Sequence, residues 1–254
     1  MYPVTFFYFL FALNVRKSLK IYYERLGIRF TNIVCYNHLR IFAITMVDRF
    51  ITKISPKDYE FVYDELERLV KISAKANILV FSHFGGWASA SNFSKSNNQM
   101  NIVMQETLMD SIKSIENSLG KKSNVNTIDI NQGAIASSIL IAKALLRDEL
   151  VAVMGDRAAS ENANKAIKFL GEDAYFNQTP FQIAYKMDKP IVVYFVIFYG
   201  IQKYKIEFIE IDIDKFKKKD IAVSEALQKY VNSYENIVKK YPNQWFNFYD
   251  FWEK

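Results

Sequence analysis

The sequence predicts one α/β domain built on a largely parallel sheet flanked by helices, with an antiparallel hairpin near the C-terminus. Short apolar runs alternate with helix-compatible stretches of about a dozen residues between Ile78 and Met154, the pattern of βαβ units. The runs Ile78–Phe81 (Ile-Leu-Val-Phe) and Leu150–Met154 (Leu-Val-Ala-Val-Met) are apolar throughout, as strands covered on both faces require. Residues 190–200 and 202–213 are two further strand-like stretches separated by a tight turn, which reads as a hairpin. No repeat, low-complexity tract or Pro/Gly linker interrupts the 254 residues, so 1–254 is read as a single domain.

Residues 2–13 are apolar and aromatic, and Arg16, Lys17 and Lys20 follow. That run is too short for a bilayer span, which takes roughly 20 residues, and it lacks the basic start of a signal peptide. It reads either as an interfacial helix within residues 1–25, aromatics in the headgroup zone and cations at the phosphates, or as a helix buried against the domain. Residues 36–54 carry apolar positions at helical spacing around Asp48 and Arg49. Ser55 is placed to cap a further helix over 57–74, with Pro56 at its first position. After the strand Ile78–Phe81 come a strand at Met100–Met104, a helix at 107–119, a strand at 125–130, a helix at 133–146 and the strand Leu150–Met154. Right-handed crossovers place the ends of strands 76–82 and 150–154 on one rim of the sheet. A polar loop at 158–165 leads into Ile167-Lys168-Phe169-Leu170-Gly171 and Asp173-Ala174-Tyr175-Phe176. Thr179 and Pro180 read as the cap and first position of a helix. Residues 221–241 form an amphipathic helix with Lys239 and Lys240 in its last turn, favourable to the helix dipole. The aromatic tail, 242–252, is either a core plug or a membrane-facing lip, and the plug is favoured.

Composition narrows the chemistry. Half of the residues are apolar, enough for a sizeable core, and the 16% aromatic share suits either that core or contact with a membrane interface. The lone Cys35 forms no internal disulfide, so a reducing compartment is expected. With His38, His83 and one cysteine available, neither a dedicated zinc site nor another cofactor is expected. The net charge of +6 suits anionic lipid or an acidic carrier protein. No zinc knuckle, RNP-like motif or basic helix points to nucleic acid.

Chemistry concentrates where the first strand ends, at Ser82-His83-Phe84-Gly85-Gly86-Trp87. Open α/β sheets bind ligands at the carboxyl ends of their strands. A histidine there can serve as a base near neutral pH, and Gly85 and Gly86 can bring backbone N–H groups close to a developing oxyanion. The alternative is an ordinary loop histidine beside a strand-to-helix turn. The other rim strand ends in Gly155-Asp156-Arg157. Asp156 is placed to orient His83 and Arg157 to hold a phosphate; alternatively the two form a loop salt bridge. Trp87 reads as a wall of a substrate groove. A Gly-x-Ser-x-Gly elbow and a Gly-Lys-Ser/Thr phosphate cradle are both missing, which argues against a hydrolase and a nucleotide enzyme.

The ordered set Ser-His-Phe-Gly-Gly-Trp (82–87), Gly-Asp-Arg (155–157), Phe-Leu-Gly (169–171) and Gln-Trp-Phe-Asn-Phe-Tyr-Asp-Phe-Trp (244–252), with the Asp48-Arg49 helix, spans nearly the whole chain. It resembles the lipid A late acyltransferases of the lysophospholipid acyltransferase superfamily. The resemblance implies transfer of a fatty acyl group from an acyl carrier protein or coenzyme A thioester to a lipid or glycolipid acceptor. It also implies residence at the cytoplasmic face of the bacterial inner membrane. That family carries an acid five positions after its histidine, where this sequence has Ala88. Asp156 is the first candidate to replace it. The alternatives are a histidine that works unsupported, more slowly, and a non-catalytic member that binds lipid or carrier without turnover.

Overall fold

The computed structural model describes residues 2–75, 77–93, 98–104, 125–157 and 161–253. The helix expected over 107–119 lies outside the described residues. The others form a seven-stranded sheet and a separate two-stranded one. In chain order the strands are β1 (Glu60–Tyr63), β2 (Ile78–Phe81), β3 (Met100–Met104), β4 (Val125–Asp129), β5 (Leu150–Met154), β6 (Asn164–Phe169), β7 (Glu172–Asn177), β8 (Ile191–Gly200) and β9 (Lys203–Ile211). The described helices are α1 (Tyr2–Phe11), α2 (Leu13–Arg25), α3 (Asn32–Ile54), α4 (Leu66–Ser73), α5 (Ala134–Leu146), α6 (Thr179–Met187) and α7 (Lys219–Lys240).

The large sheet runs β1-β9-β8-β2-β5-β3-β4. Every neighbouring pair is parallel except β8 with β9, the expected hairpin. β2 lies at the centre, with Ile78 opposite both Val151 and Ile191. Its four side chains are buried, and they alternate between two cores as strand geometry dictates. Ile78 and Val80 join the larger core with α7, α6 and the C-terminal segment. Leu79 and Phe81 face the smaller one, against Leu150, Ala152 and Val192, with Ile72 of α4 beside them. Strand β2 therefore has no solvent face, which is why its sequence is apolar without interruption.

Three expectations are corrected. Residues 57–74 do not make one helix. Pro56–Asp58 form a 3-10 turn, Glu60–Tyr63 add a parallel edge strand to β9, and only Leu66–Ser73 are helical. The Tyr59 and Phe61 rings stack on Tyr204 of β9, and this tertiary contact overrides the helical spacing of the local sequence. Thr179 is the first residue inside α6 and Gln178 its cap; the Thr179 N–H bonds Asn177 Oδ1. Finally, the polar loop expected over 158–165 does not run to 165: residues 164–177 form a hairpin, β6–β7, whose turn carries Leu170 (φ 51°) and Gly171 (φ 91°). Positive φ at both central positions is the two-residue turn that matches strand twist.

The chain termini differ in placement. The C-terminal segment is a core plug: Trp245, Phe246 and Phe251 are buried. Helix α1 buries Thr5 instead, while Val4, Phe6, Phe7, Tyr8, Leu10 and Phe11 are exposed. Its one aromatic contact toward the domain among the described residues is Phe9, edge-on to Tyr36 of α3 at 6.0 Å. No described helix is long and apolar enough to cross a membrane.

Candidate active site

The β2–β5 ladder brings the two rims together. Phe81 sits opposite Met154, and the Gly155 N–H extends the ladder to the Phe81 carbonyl (2.7 Å). The chain beyond each strand therefore leaves the sheet side by side, and His83 meets Asp156 across 73 residues of sequence. His83 Nδ1 lies 3.0 Å from Asp156 Oδ1 and 3.1 Å from Oδ2, and the His83 backbone N–H donates to Oδ2 at 2.9 Å. Asp156 is 1% exposed and the His83 side chain 19%. Burial pushes the Asp156 carboxyl up. It is outweighed by the charge and hydrogen bond of His83, the nearby Arg157 guanidinium and the His83 N–H, so the net direction is down. An ionised carboxylate accepts only, which places a proton on Nδ1; in the neutral imidazole Nε2 is then the nitrogen without a proton, the one that can act as a base. Asp156, an acid of the second rim, thus lies beside a histidine whose own loop carries Ala88.

The double glycine packs the loop tightly against its neighbours. The Gly85 N–H donates to the Gln244 carbonyl (2.8 Å) and the Gly86 N–H to the Val196 carbonyl (2.7 Å). Both N–H groups are thus paired with backbone carbonyls in this structure. Gly85 has φ +55°, and a Cβ there would meet the Val196 oxygen at 2.0 Å; at Gly86 it would meet the Tyr204 ring at 2.5 Å. Only glycine lets the loop lie this close to β8 and β9. Behind it, Asp48 accepts hydrogen bonds from the hydroxyls of Tyr204 (2.5 Å) and Tyr59 (2.7 Å), fixing the ring on which Gly86 rests. Burial and then that carboxylate push the Tyr204 hydroxyl's pKa up.

Three other groups surround His83. The Trp87 ring lies edge-on to the imidazole at 4.9 Å, and its Nε1 is buried without a partner among the described residues. Arg157 reaches the Phe246 carbonyl (3.3 Å) and Asn247 Oδ1 (3.2 Å) and sits over the Tyr249 ring, while its Nε has no hydrogen-bond partner among the described residues. On the α4 side of the sheet lies a cavity of about 40 Å³. Phe81, Leu79, Ala90, Met100 and Val196 are among the apolar side chains lining it. Among the described residues no cluster of three or more His, Cys, Asp or Glu could hold a metal ion.

Several residues that shape the site were given no role by the sequence, and Tyr230 and Asn177 lie outside every motif. Tyr230 of α7 bonds the Ser82 hydroxyl (2.8 Å), and Asn177 Nδ2 holds the Met154 carbonyl (2.8 Å) just before Gly155. Gln244 grips both the N–H and the carbonyl of Phe198 at 2.8 Å. The sole sequence hint was Gln244, polar within an aromatic run.

A comparison with curated proteins finds no match. The family model described as bacterial lipid A biosynthesis acyltransferase matches residues 32–254, a stretch that holds α3, both rims and the C-terminal segment. The chain belongs to the bacterial lipid A biosynthesis acyltransferase family.

Proposed function

We propose that this protein transfers a fatty acyl group from an acyl carrier protein or coenzyme A thioester to a hydroxyl or amine of a lipid or glycolipid, with His83 as general base. The observation that carries the reading is the His83–Asp156 pair, made through Nδ1, with Nε2 at the rim of the sheet and without a hydrogen-bond partner among the described residues. Nε2 takes the acceptor's proton as the acceptor oxygen or nitrogen attacks the thioester carbonyl. The C–S bond then breaks, and the departing thiolate takes the proton back from the imidazolium. Asp156 keeps the imidazole in the productive tautomer and balances its transient charge. Trp87 walls the substrate groove, and Arg157 serves a phosphate of donor or acceptor.

Family membership together with the exposed aromatics of α1 supports peripheral attachment to the inner membrane, at its cytoplasmic face. Thioester consumption and labelled-lipid formation test the chemistry. His83→Ala is expected to lose roughly 10³-fold in rate, within the range of general-base contributions. Asp156→Asn, which favours the wrong tautomer, is expected to lose roughly 10²-fold or more. Wild-type rates in His83→Ala would overturn the mechanism. Lipid binding by the wild type without turnover on any donor would instead establish a non-catalytic member.

A further inference from the structure

The chain has two histidines, and the second lies outside the proposed chemistry. His38, on α3, is fully buried among Tyr22, Tyr23, Phe246 and Phe248. Its Nε2 lies 2.9 Å from the Trp245 carbonyl, an acceptor only, so Nε2–H donates. Nδ1 is therefore the acceptor for the Tyr23 hydroxyl at 3.1 Å. Burial drives its pKa down to about 3, so the ring is neutral and both bonds persist across the working pH range.

What His38 grips is the segment that holds the catalytic loop. Trp245 pairs antiparallel with Phe84; the Phe246 N–H donates to the His83 carbonyl (2.8 Å), and the Gly85 N–H to the Gln244 carbonyl (2.8 Å). The His83 backbone is thus fixed on both sides, by Asp156 through its N–H and by residue 246 through its carbonyl. Trp245, Phe246 and Asn247 are in turn tied to α3 by His38 and to the second rim by Arg157. We infer that His38 is a positioning residue: through the Trp245 carbonyl it sets the C-terminal segment against the loop, and so sets where the His83 imidazole stands relative to Asp156. This rests on the His83 reading above.

The test uses the full chain labelled with ¹⁵N-histidine, which shows only two imidazoles. In the wild type His38 does not titrate between about pH 5 and 8, as its buried, neutral ring requires. His38→Phe keeps a ring but loses both bonds. The His83 titration midpoint is expected to move by about half a unit or more, and kcat to fall about tenfold with KM within about twofold, the mark of misplacement rather than lost binding. His38→Gln, which returns a neutral donor toward Trp245, is expected to restore both. The inference is overturned by a folded His38→Phe protein with the His83 midpoint and kcat of the wild type. It is equally overturned if His38→Gln folds yet fails as badly as Phe. Should His38→Phe not fold, His38→Asn, whose shorter amide stops short of the Trp245 carbonyl, carries the same two outcomes. Absence of turnover in the wild type would sink the acyl-transfer reading alone, because the His83 titration still decides this one.

Discussion

Two stretches of this chain are similarly dense in aromatic residues and opposite in fate. Residues 2–13 and 242–252 are both dense in Phe, Tyr or Trp, yet Phe7 and Phe11 are 61% and 75% exposed whereas Trp245 is 1% exposed. Polar residues make the difference. The C-terminal segment interleaves Gln244 and Asn247 with its aromatics, and each binds backbone: Gln244 at Phe198, Asn247 at the Tyr249 carbonyl (2.6 Å). His38 and Arg157 meet its carbonyls. A non-helical segment can be buried only if its backbone groups are paired, and this one brings the partners with it. Helix α1 satisfies its backbone internally, so its side chains need no polar partners and its aromatics remain available to another apolar phase. Aromatic density predicts neither burial nor exposure; the backbone's partners decide.

The sharpest way to break this contrast is Trp245→Ala. Removing a fully buried indole that packs on Tyr22, Phe169 and Phe251 should cost about 4 kcal/mol, read as a lowered denaturation midpoint. A loss under about 1 kcal/mol would show that the segment is not a core plug. Acid acts next. The folded pKa of His38, about 3, lies below its ordinary 6.5, so the unfolded chain binds the extra proton first and stability falls as pH drops below 6.5. Relative to pH 7.5 the His38 share of that loss should reach about 3 kcal/mol by pH 4.5. His38→Gln, which has nothing to titrate, should lack this share, and identical acid slopes in the two proteins would refute it. The smallest stability effect belongs to the other terminus. Phe7→Ser and Phe11→Ser should change folding stability by under about 0.5 kcal/mol. Each should nonetheless weaken binding to anionic vesicles about tenfold, by loss of transferable apolar area. Unchanged vesicle binding would remove the membrane assignment of α1.

How much of this was written locally follows the same division. The central strands were legible because β2 and β5 are buried on both faces and their apolar runs end abruptly at the rim. The hairpin β8–β9 and the pairing of His83 with Asp156 followed from that frame. Strand β1 was not legible: residues 57–74 have helical periodicity, and only the distant Tyr204 ring recruits Tyr59 and Phe61 to the sheet edge. The β6–β7 turn puts a leucine at positive φ, a conformation that residue type does not advertise. Within the site, Gly85 and Gly86 signal close backbone approach, but a sequence does not say what is approached; Val196 and Tyr204 are the close neighbours in the fold. His38 gave no signal, because its importance comes from a carbonyl that lies 207 residues away.

Placing the acid on β5 rather than in the loop that bears the histidine changes when the pair can exist. An acid at position 88 would form a local contact, available as soon as one turn closed. The His83–Asp156 contact requires β2 and β5 to have zipped in register, with β3 already between them in sequence, so loop-closure entropy must be overcome before the dyad forms. During refolding, recovery of the His83–Asp156 pair should therefore trail the return of helical signal and coincide with completion of the central sheet. The dyad becomes an internal clock for the zipping of the central strands, and a chain halted short of that step carries every residue of the site without the site itself.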